Sequence, residues 1–124
     1  MKSRFARHTN NLEKIKSFYI DILGFELLVG FENHNNYDGI FIGKPNLDWH
    51  LEFTKSNEIV NFNFGEENYL VFYNKTVKEF ESIKSKLINN YVTFISSKNP
   101  YWNENGIIIK DPDDYSIIIA MIKV

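Results

Sequence analysis

The feature that most constrains the fold of this chain is an order of elements that occurs twice. In each half the spacing of apolar side chains predicts strand, helix, strand, strand, strand. The halves are module one, about residues 4–54, and module two, about residues 68–122, and residues 55–67 connect them. When Asn11 and Thr76 are aligned as the residues that open the two helices, apolar helix positions fall on apolar helix positions. We therefore predict one α+β domain built from two βαβββ modules.

The predicted helices and strands follow from the spacing of apolar residues and from the residues that start and stop each element. Module one is predicted to contain strands Arg4–Thr9, Phe25–Phe31, Tyr37–Gly43 and Asp48–Thr54, and an amphipathic helix of about three turns that carries Leu12, Ile15, Tyr19, Ile22 and Leu23 and stops at Gly24. Module two is predicted to contain strands Asn68–Tyr73, Tyr91–Ile95, Gly106–Lys110 and Ser116–Ile122, and a helix that starts with a Thr76–Glu79 capping box and stops at Asn89 and Asn90 in the left-handed conformation. DPDDY is predicted to be a turn.

Composition excludes several classes of function. The 124 residues include no cysteine, which excludes disulfides, thiol catalysis and thiolate metal sites. A net charge of -2 gives no electrostatic case for a nucleic-acid partner. No apolar run is long enough to span a membrane, and the first residues lack the apolar stretch of a secretory signal. We expect a cytoplasmic protein without a membrane or nucleic-acid partner.

The segment DWHLEF, Asp48–Phe53, contains the first candidate site. Because side chains alternate along a strand, His50 and Glu52 share one face, about 6.5–7 Å apart along the strand. An imidazole and a carboxylate over one cavity are a plausible start for a metal site. Two ligands do not complete one, so the rest of the chain must supply a third.

Several segments resemble one known family. RHTNNLEKIKSFYIDILGFEL is similar to the opening strand and helix of the vicinal oxygen chelate superfamily, which includes glyoxalase I, extradiol dioxygenases and bleomycin and fosfomycin resistance proteins. DWHLEF resembles the last strand of the family's first module, GIIIKDPDDYSIII resembles the end of its second, and NPYWNENG resembles a segment of uncharacterised glyoxalase-like members. The resemblance implies a curved mixed sheet around a cleft, a homodimer and a small-molecule ligand.

The resemblance also implies four metal-ligand positions, two in each module. The repeat register places them at Arg4 and Glu52 in module one and at Tyr69 and Ile118 in module two. Only Glu52 is a good ligand, since arginine offers no lone pair, isoleucine has no donor atom and tyrosine ionises near pH 10. We therefore predict no cofactor, and a bidentate ion pair between Arg4 and Glu52 in the place of the metal. A displaced site formed by His8, His50 and Glu52, holding a divalent metal, is the alternative.

Two classes of function stay open at this point. The first is a metal-independent small-molecule binder whose cleft is lined by Arg4, His8, His50, Glu52, Tyr69, Tyr73, Tyr101 and Trp102, the last two in a loop that contains proline. The second is a lyase, isomerase or dioxygenase with an altered metal site. Glu52 is the candidate catalytic residue, as a base. Missing ligands favour the binder.

Overall fold

The computed structural model describes residues 1–122 and confirms an α+β fold. The chain divides into two compact units, the first ending at Asn61 and the second starting at Phe62. Each unit has its own small mixed sheet. Within residues 1–122, no helix has both the length and the apolar character that a membrane crossing needs.

The first unit is a four-stranded sheet with a short helical segment on one face. Its strands are β1 (Ser3–His8), β2 (Glu26–His34), β3 (Tyr37–Gly43) and β4 (Trp49–Lys55), and its helical segment is α1 (Leu12–Lys16) followed by a π-helix (Ser17–Ile22). The strand order is β1-β4-β3-β2. β1 pairs with β4 in parallel, while the other two pairs are antiparallel.

The helical segment forms where the sequence predicts a three-turn helix, but its second half is wider. Asn11 caps it by accepting a hydrogen bond from the backbone N–H of Lys14, and Gly24 leaves it with φ +82°. From Ser17 the backbone changes to π-helix, and the N–H of Leu23 donates to the carbonyl of Phe18. The helical segment buries Ile15 and Tyr19 completely.

Alternation along β4 separates the two faces of this sheet. Leu51 and Phe53 are buried beneath the helical segment, where the Phe53 ring lies 5.0 Å from that of Tyr19. His50 and Glu52 lie on the opposite face, as predicted. We call this opposite face, with Arg4, Phe41, His50 and Glu52, the Arg4 face.

The second unit is a three-stranded sheet with two helices. Its elements within residues 62–122 are β5 (Tyr69–Asn74), α2 (Val77–Asn89), α3 (Pro100–Asn105), β6 (Gly106–Lys110) and β7 (Ser116–Met121). The strand order is β5-β7-β6, with β5 and β7 parallel. The capping box differs slightly from the prediction: Thr76 accepts from the N–H of Glu79, but Glu79 accepts from Lys75 rather than from Thr76.

Three predictions for the segment after α2 are wrong. The residue with positive φ is Tyr91, at 58°, rather than Asn89 or Asn90. Residues 91–95 do not form a strand, since their ladder contact is one bridge between Ile95 and Ile108. The proline-containing loop predicted for Tyr101 and Trp102 is the helix α3, which Asn99 caps and Pro100 opens.

The first and last strands of the two units pair in the same register, although the second unit lacks the strand predicted at Tyr91–Ile95. In the first unit Arg4 pairs with His50 and Ala6 with Glu52. In the second, Tyr69 pairs with Ser116 and Val71 with Ile118. Arg4 and Glu52 in the first sheet therefore correspond to Tyr69 and Ile118 in the second.

Candidate functional site

The centre of the candidate site is the guanidinium of Arg4, on the edge strand β1. Its Nε donates a hydrogen bond to Nε2 of His50 over 2.9 Å, and its Nη1 lies 3.7 Å from Oε1 of Glu52. Its Cζ lies 4.5 Å from the centroid of the Phe41 ring, within the range of a cation–π contact. Parallel pairing of β1 with β4 produces this convergence, because Arg4 stands beside His50 and one pleat repeat from Glu52.

Arg4 and Glu52 form an ion pair, but the predicted bidentate geometry is wrong, because their contact contains no hydrogen bond. At 3.7 Å the two atoms are too far apart for an N–H···O bond. The Arg4 side chain is 48% exposed and that of Glu52 is 15% exposed, so water screens the arginine much more than the carboxylate. The pair occupies the positions where the repeat register leads us to expect it.

The hydrogen bond fixes the chemistry of His50. Its Nε2 acts as an acceptor, because the Nε–H of arginine can only donate. The ring also lies 5.2 Å from that of Phe41, centroid to centroid. The lone pair that could bind a metal on this face is therefore directed at the guanidinium.

His8 belongs to a different place. Its Nε2 accepts a hydrogen bond from the backbone N–H of Ser56 over 3.3 Å and also lies 3.3 Å from the Ser56 hydroxyl oxygen. It stands four residues beyond Arg4 on β1, about 13 Å along the strand. Among residues 1–122, no three His, Cys, Asp or Glu side chains are grouped closely enough to hold a metal ion. The alternative set of His8, His50 and Glu52 is thus not assembled.

In the second unit, the corresponding positions are apolar or already bonded. Ile118 is fully buried in a cluster with Ile108 and Ala120, against which Tyr69, Val71, Ile95 and Trp102 pack. The hydroxyl of Tyr69 lies 2.5 Å from that of Ser97. Arg4, Tyr69 and Ile118 therefore supply no lone pair suited to a metal, and the four family positions do not fit one.

The aromatic residues of the second unit that were expected to line the cleft differ in exposure. Trp102 projects from α3 into the apolar cluster, whereas Tyr73 and Tyr101 are about half exposed. Tyr101 contacts Trp102 edge to face, at 4.9 Å between centroids. The role of Trp102 here is to fill the face of its own sheet.

Sequence reasoning missed two aromatic residues on the Arg4 face, Phe41 and Phe31. Phe41 pairs with Glu52 across the β3–β4 ladder, and Phe31 pairs with Gly39 across the β2–β3 ladder. Their ring centroids lie 6.1 Å apart. The signal was present: alternation along Tyr37–Gly43 puts Phe41 opposite the buried Ile40 and Ile42.

A cavity of about 640 Å³ lies in the first unit between the start of α1 and strands β2 and β3, and Phe31 and Gly39 are among its lining residues. Its lining includes Glu13, Lys16, Asp38 and Lys55 but none of the predicted site residues. Glu13 and Lys16 form an ion pair there, 3.3 Å apart. The Arg4 face is the better candidate, because an aromatic floor and convergent polar groups occur together on it.

Comparisons with known proteins agree with this fold. Residues 3–54 match the YycE-like N-terminal domain and residues 67–121 match the YycE-like C-terminal domain. The YycE protein of Bacillus subtilis (strain 168) is 38% identical over 119 residues, which cover 93% of this chain and 84% of that protein. The crystal structure of Bacillus subtilis YycE, a protein of unknown function, superposes with a TM-score of 0.86 at 35% identity, covering 99% of this chain and 90% of that one.

More distant structures share the fold alone. The trypanothione-dependent glyoxalase I of Leishmania major has a TM-score of 0.73 at 18% identity and covers 95% of this chain and 84% of its own. TnmS3, an antibiotic binding protein from Streptomyces sp. CB03234, has a TM-score of 0.69 at 20% identity and covers 99% and 96%. Both module matches and the identity to YycE lead to one conclusion: the chain belongs to the YycE-like family, within the vicinal oxygen chelate superfamily.

Proposed function

We propose that this protein binds a small molecule on the Arg4 face and does so without a metal ion. One observation carries the proposal: the guanidinium of Arg4 contacts both groups on this face that could ligate a metal, His50 Nε2 and the Glu52 carboxylate. A permanent cation bonded within the protein thus takes the electrostatic place of a metal.

Binding a metal here would require the arginine to leave. That movement would break the hydrogen bond to His50 and the contact with Phe41, and the metal would gain two protein ligands. A catalytic zinc site commonly has three protein ligands. The balance therefore favours the arginine.

The surroundings of Arg4 suit a binding surface. Phe41 and Phe31 provide aromatic area, while Arg4, His50 and Glu52 provide a few polar groups at one end of it. Small-molecule sites typically combine apolar area with a few placed polar groups. The fold also occurs in TnmS3, an antibiotic binding protein, which supports a binding role by analogy. Catalysis by Glu52 stays a prediction.

The test is a fragment screen on metal-stripped protein. Neutral, anionic and cationic fragments are screened by the shifts of backbone amide resonances, first in EDTA and then with Zn²⁺ or Mn²⁺. We expect fragments that shift amides of β1, β3 and β4 with the same Kd in both conditions, and that weaken in Phe41→Ala but not in Tyr91→Ala, an exposed control. Fragments that bind this face only after metal is added would overturn the proposal.

A homodimer in the cytoplasm completes the proposal. The family resemblance suggests the dimer, and the edge strand β2 supports it, since Leu27 and Val29 are about half exposed. Light scattering after size-exclusion chromatography measures the mass directly. A monomer at 100 µM would contradict this part alone.

A further inference from the structure

We infer that the ligand of the Arg4 face carries an anionic pair of oxygens, a hydrogen-bond donor beside it, and a flat apolar body. The inference rests on the proposed function and specifies the chemical class of the ligand. It follows from the hydrogen-bond donors and acceptors of this face that have no partner among residues 1–122.

Arg4 supplies the donors. A guanidinium has five N–H groups, and only that of Nε makes a hydrogen bond to a described residue, His50. Nη1 is near Glu52 but beyond hydrogen-bond distance, so all four Nη–H groups remain available. The side chain is half exposed, so a ligand can reach them. A planar fork of N–H groups matches the two oxygens of a carboxylate or similar anion.

Glu52 supplies the acceptor. Its side chain is only 15% exposed, yet its carboxylate accepts no hydrogen bond from any residue in the described part of the chain. A carboxylate largely removed from water is stabilised by donors, and its ion pair with Arg4 supplies charge but no hydrogen bond. A ligand hydroxyl or ammonium group would complete it.

The aromatic rings fix the shape of the rest. Phe41 lies under the guanidinium, and Phe31 continues the aromatic surface away from it. An anion held by the exposed side of Arg4 would therefore direct its substituent along these rings. A flat ring stacks on such a surface better than a branched chain does.

The charges exclude simpler ligands. The charges of Arg4 and Glu52 nearly cancel. An anion without a donor is therefore attracted by Arg4 but repelled by Glu52, and a cation is attracted by Glu52 but repelled by Arg4. A molecule with both groups gains at each. Specificity then results from the penalty against molecules that have only one of them.

The test uses three probes that share a benzene ring: mandelate, with a carboxylate and a hydroxyl; phenylacetate, with the carboxylate alone; and benzyl alcohol, with the hydroxyl alone. Amide shifts of the intact protein in EDTA give each Kd. We expect mandelate to bind about tenfold more tightly than phenylacetate, which lacks one hydrogen bond to a charged group. Mandelate should also bind more tightly than benzyl alcohol, which lacks the carboxylate.

Two uncharged variants assign the groups, and Glu52→Met also keeps the length of the side chain. In Glu52→Met, mandelate should bind no more tightly than phenylacetate. In Arg4→Met, mandelate and phenylacetate should both bind more weakly, while the Kd of benzyl alcohol should not change. Melting temperatures of both variants check that they fold, and Arg4→Lys, which keeps the charge without the fork, provides a milder change if Arg4→Met unfolds.

The outcomes separate the two claims. If phenylacetate equals mandelate in the unchanged protein, the inference is wrong and the proposed function stands. The inference is also wrong, and the proposed function stands, if neutral or cationic fragments bind the Arg4 face and none of the three probes does. If no fragment and no probe binds this face in EDTA, both claims fail.

Discussion

The ring of Phe31 lies over the backbone of Gly39, its partner across the β2–β3 ladder. A Cβ at Gly39 would overlap that ring, so glycine is what lets the ring lie against the sheet. The ring in turn extends the aromatic floor of the Arg4 face beside Phe41. Gly39 therefore shapes the site through the position of the Phe31 ring.

Gly39→Ala should displace the Phe31 ring and weaken ligand binding. We expect a loss of about 1–3 kcal/mol in the free energy of unfolding, as for other overpacked positions, and altered ring-current shifts around Phe41. Gly30→Ala is the matched control in the same ladder, because its Cβ would meet only the Gly39 carbonyl oxygen at 3.9 Å. Equal effects of the two changes in urea unfolding would contradict this role for Gly39.

Arg4→Met should create a weak metal site. Without the guanidinium, Nε2 of His50 and the carboxylate of Glu52 lose the cation that occupies them. We expect 1 mM Zn²⁺ to stabilise the variant by about 1 kcal/mol, the effect of a Kd near 0.2 mM, and to leave the unchanged protein unaffected. Thermal unfolding with and without Zn²⁺ measures this difference. The control is Arg4→Met combined with Glu52→Met, and a zinc shift that persists in it would point to another site.

Trp102→Ala should destabilise the protein because Trp102 packs on the cluster of Ile108, Ile118 and Ala120. The lost burial and the remaining cavity should cost about 2–3 kcal/mol, somewhat below the value for a fully buried tryptophan. Tyr101→Ala, its neighbour on α3, removes a ring that is 49% exposed and should cost less than about 1 kcal/mol. Urea unfolding compares the two variants, and similar losses would show that Trp102 does not anchor α3.

The parts of the fold that sequence predicted are those with local signals. Asn11, Thr76 and Gly24 act within one turn of their own position, so caps and a stop could be placed without knowledge of the neighbours. Tyr91–Ile95 is rich in residues that favour strands, but a strand also depends on a partner, and among these five residues only Ile95 pairs with one. Asn99 before Pro100 was a helix-start signal that the glycine and asparagine content around it obscured.

The site was predictable to the extent that the repeat constrained it. The convergence of Arg4 and Glu52 follows from equivalent strand positions, whatever the side chains are. The hydrogen bond from Arg4 to His50 and the position over Phe41 depend on the rotamer of a long side chain, which no spacing specifies. Trp102 packs on the second sheet because α3 positions it there. The sequence did not predict α3, so this packing role of Trp102 could not be predicted either.

Asp111→Ala should destabilise the DPDDY turn, which forms as predicted. Asp111 is 3% exposed, and its Oδ1 accepts from the backbone N–H groups of Asp113 and Tyr115. Removing the acceptor leaves two partly buried donors unsatisfied, at a cost of about 1–3 kcal/mol. Asp111→Asn keeps one oxygen and should cost less. Chemical denaturation of the two variants checks the order, and a smaller loss for alanine than for asparagine would exclude this account.

The exposed ion pair between Glu66 and Lys98, 2.6 Å apart, should be visible by titration. The hydrogen bond from Lys98, and then its charge, lowers the pKa of Glu66, and Glu66 raises the pKa of Lys98 in the same way. The ion pair therefore stabilises the folded protein fully above the ordinary pKa of glutamate, and this stabilisation is lost as pH falls through the lowered pKa of Glu66. At high pH it is fully present below the ordinary pKa of lysine and is lost as pH rises through the raised pKa of Lys98. Carbon-13 NMR of the Glu66 carboxyl should show Lys98→Met moving its pKa up towards the usual range, and Lys110→Met, which removes a smaller charge effect, moving it less. Because both side chains are exposed, 1 M salt should reduce the Coulomb part of the effect, and a Glu66 pKa that is the same in all three proteins would rule the pair out in solution.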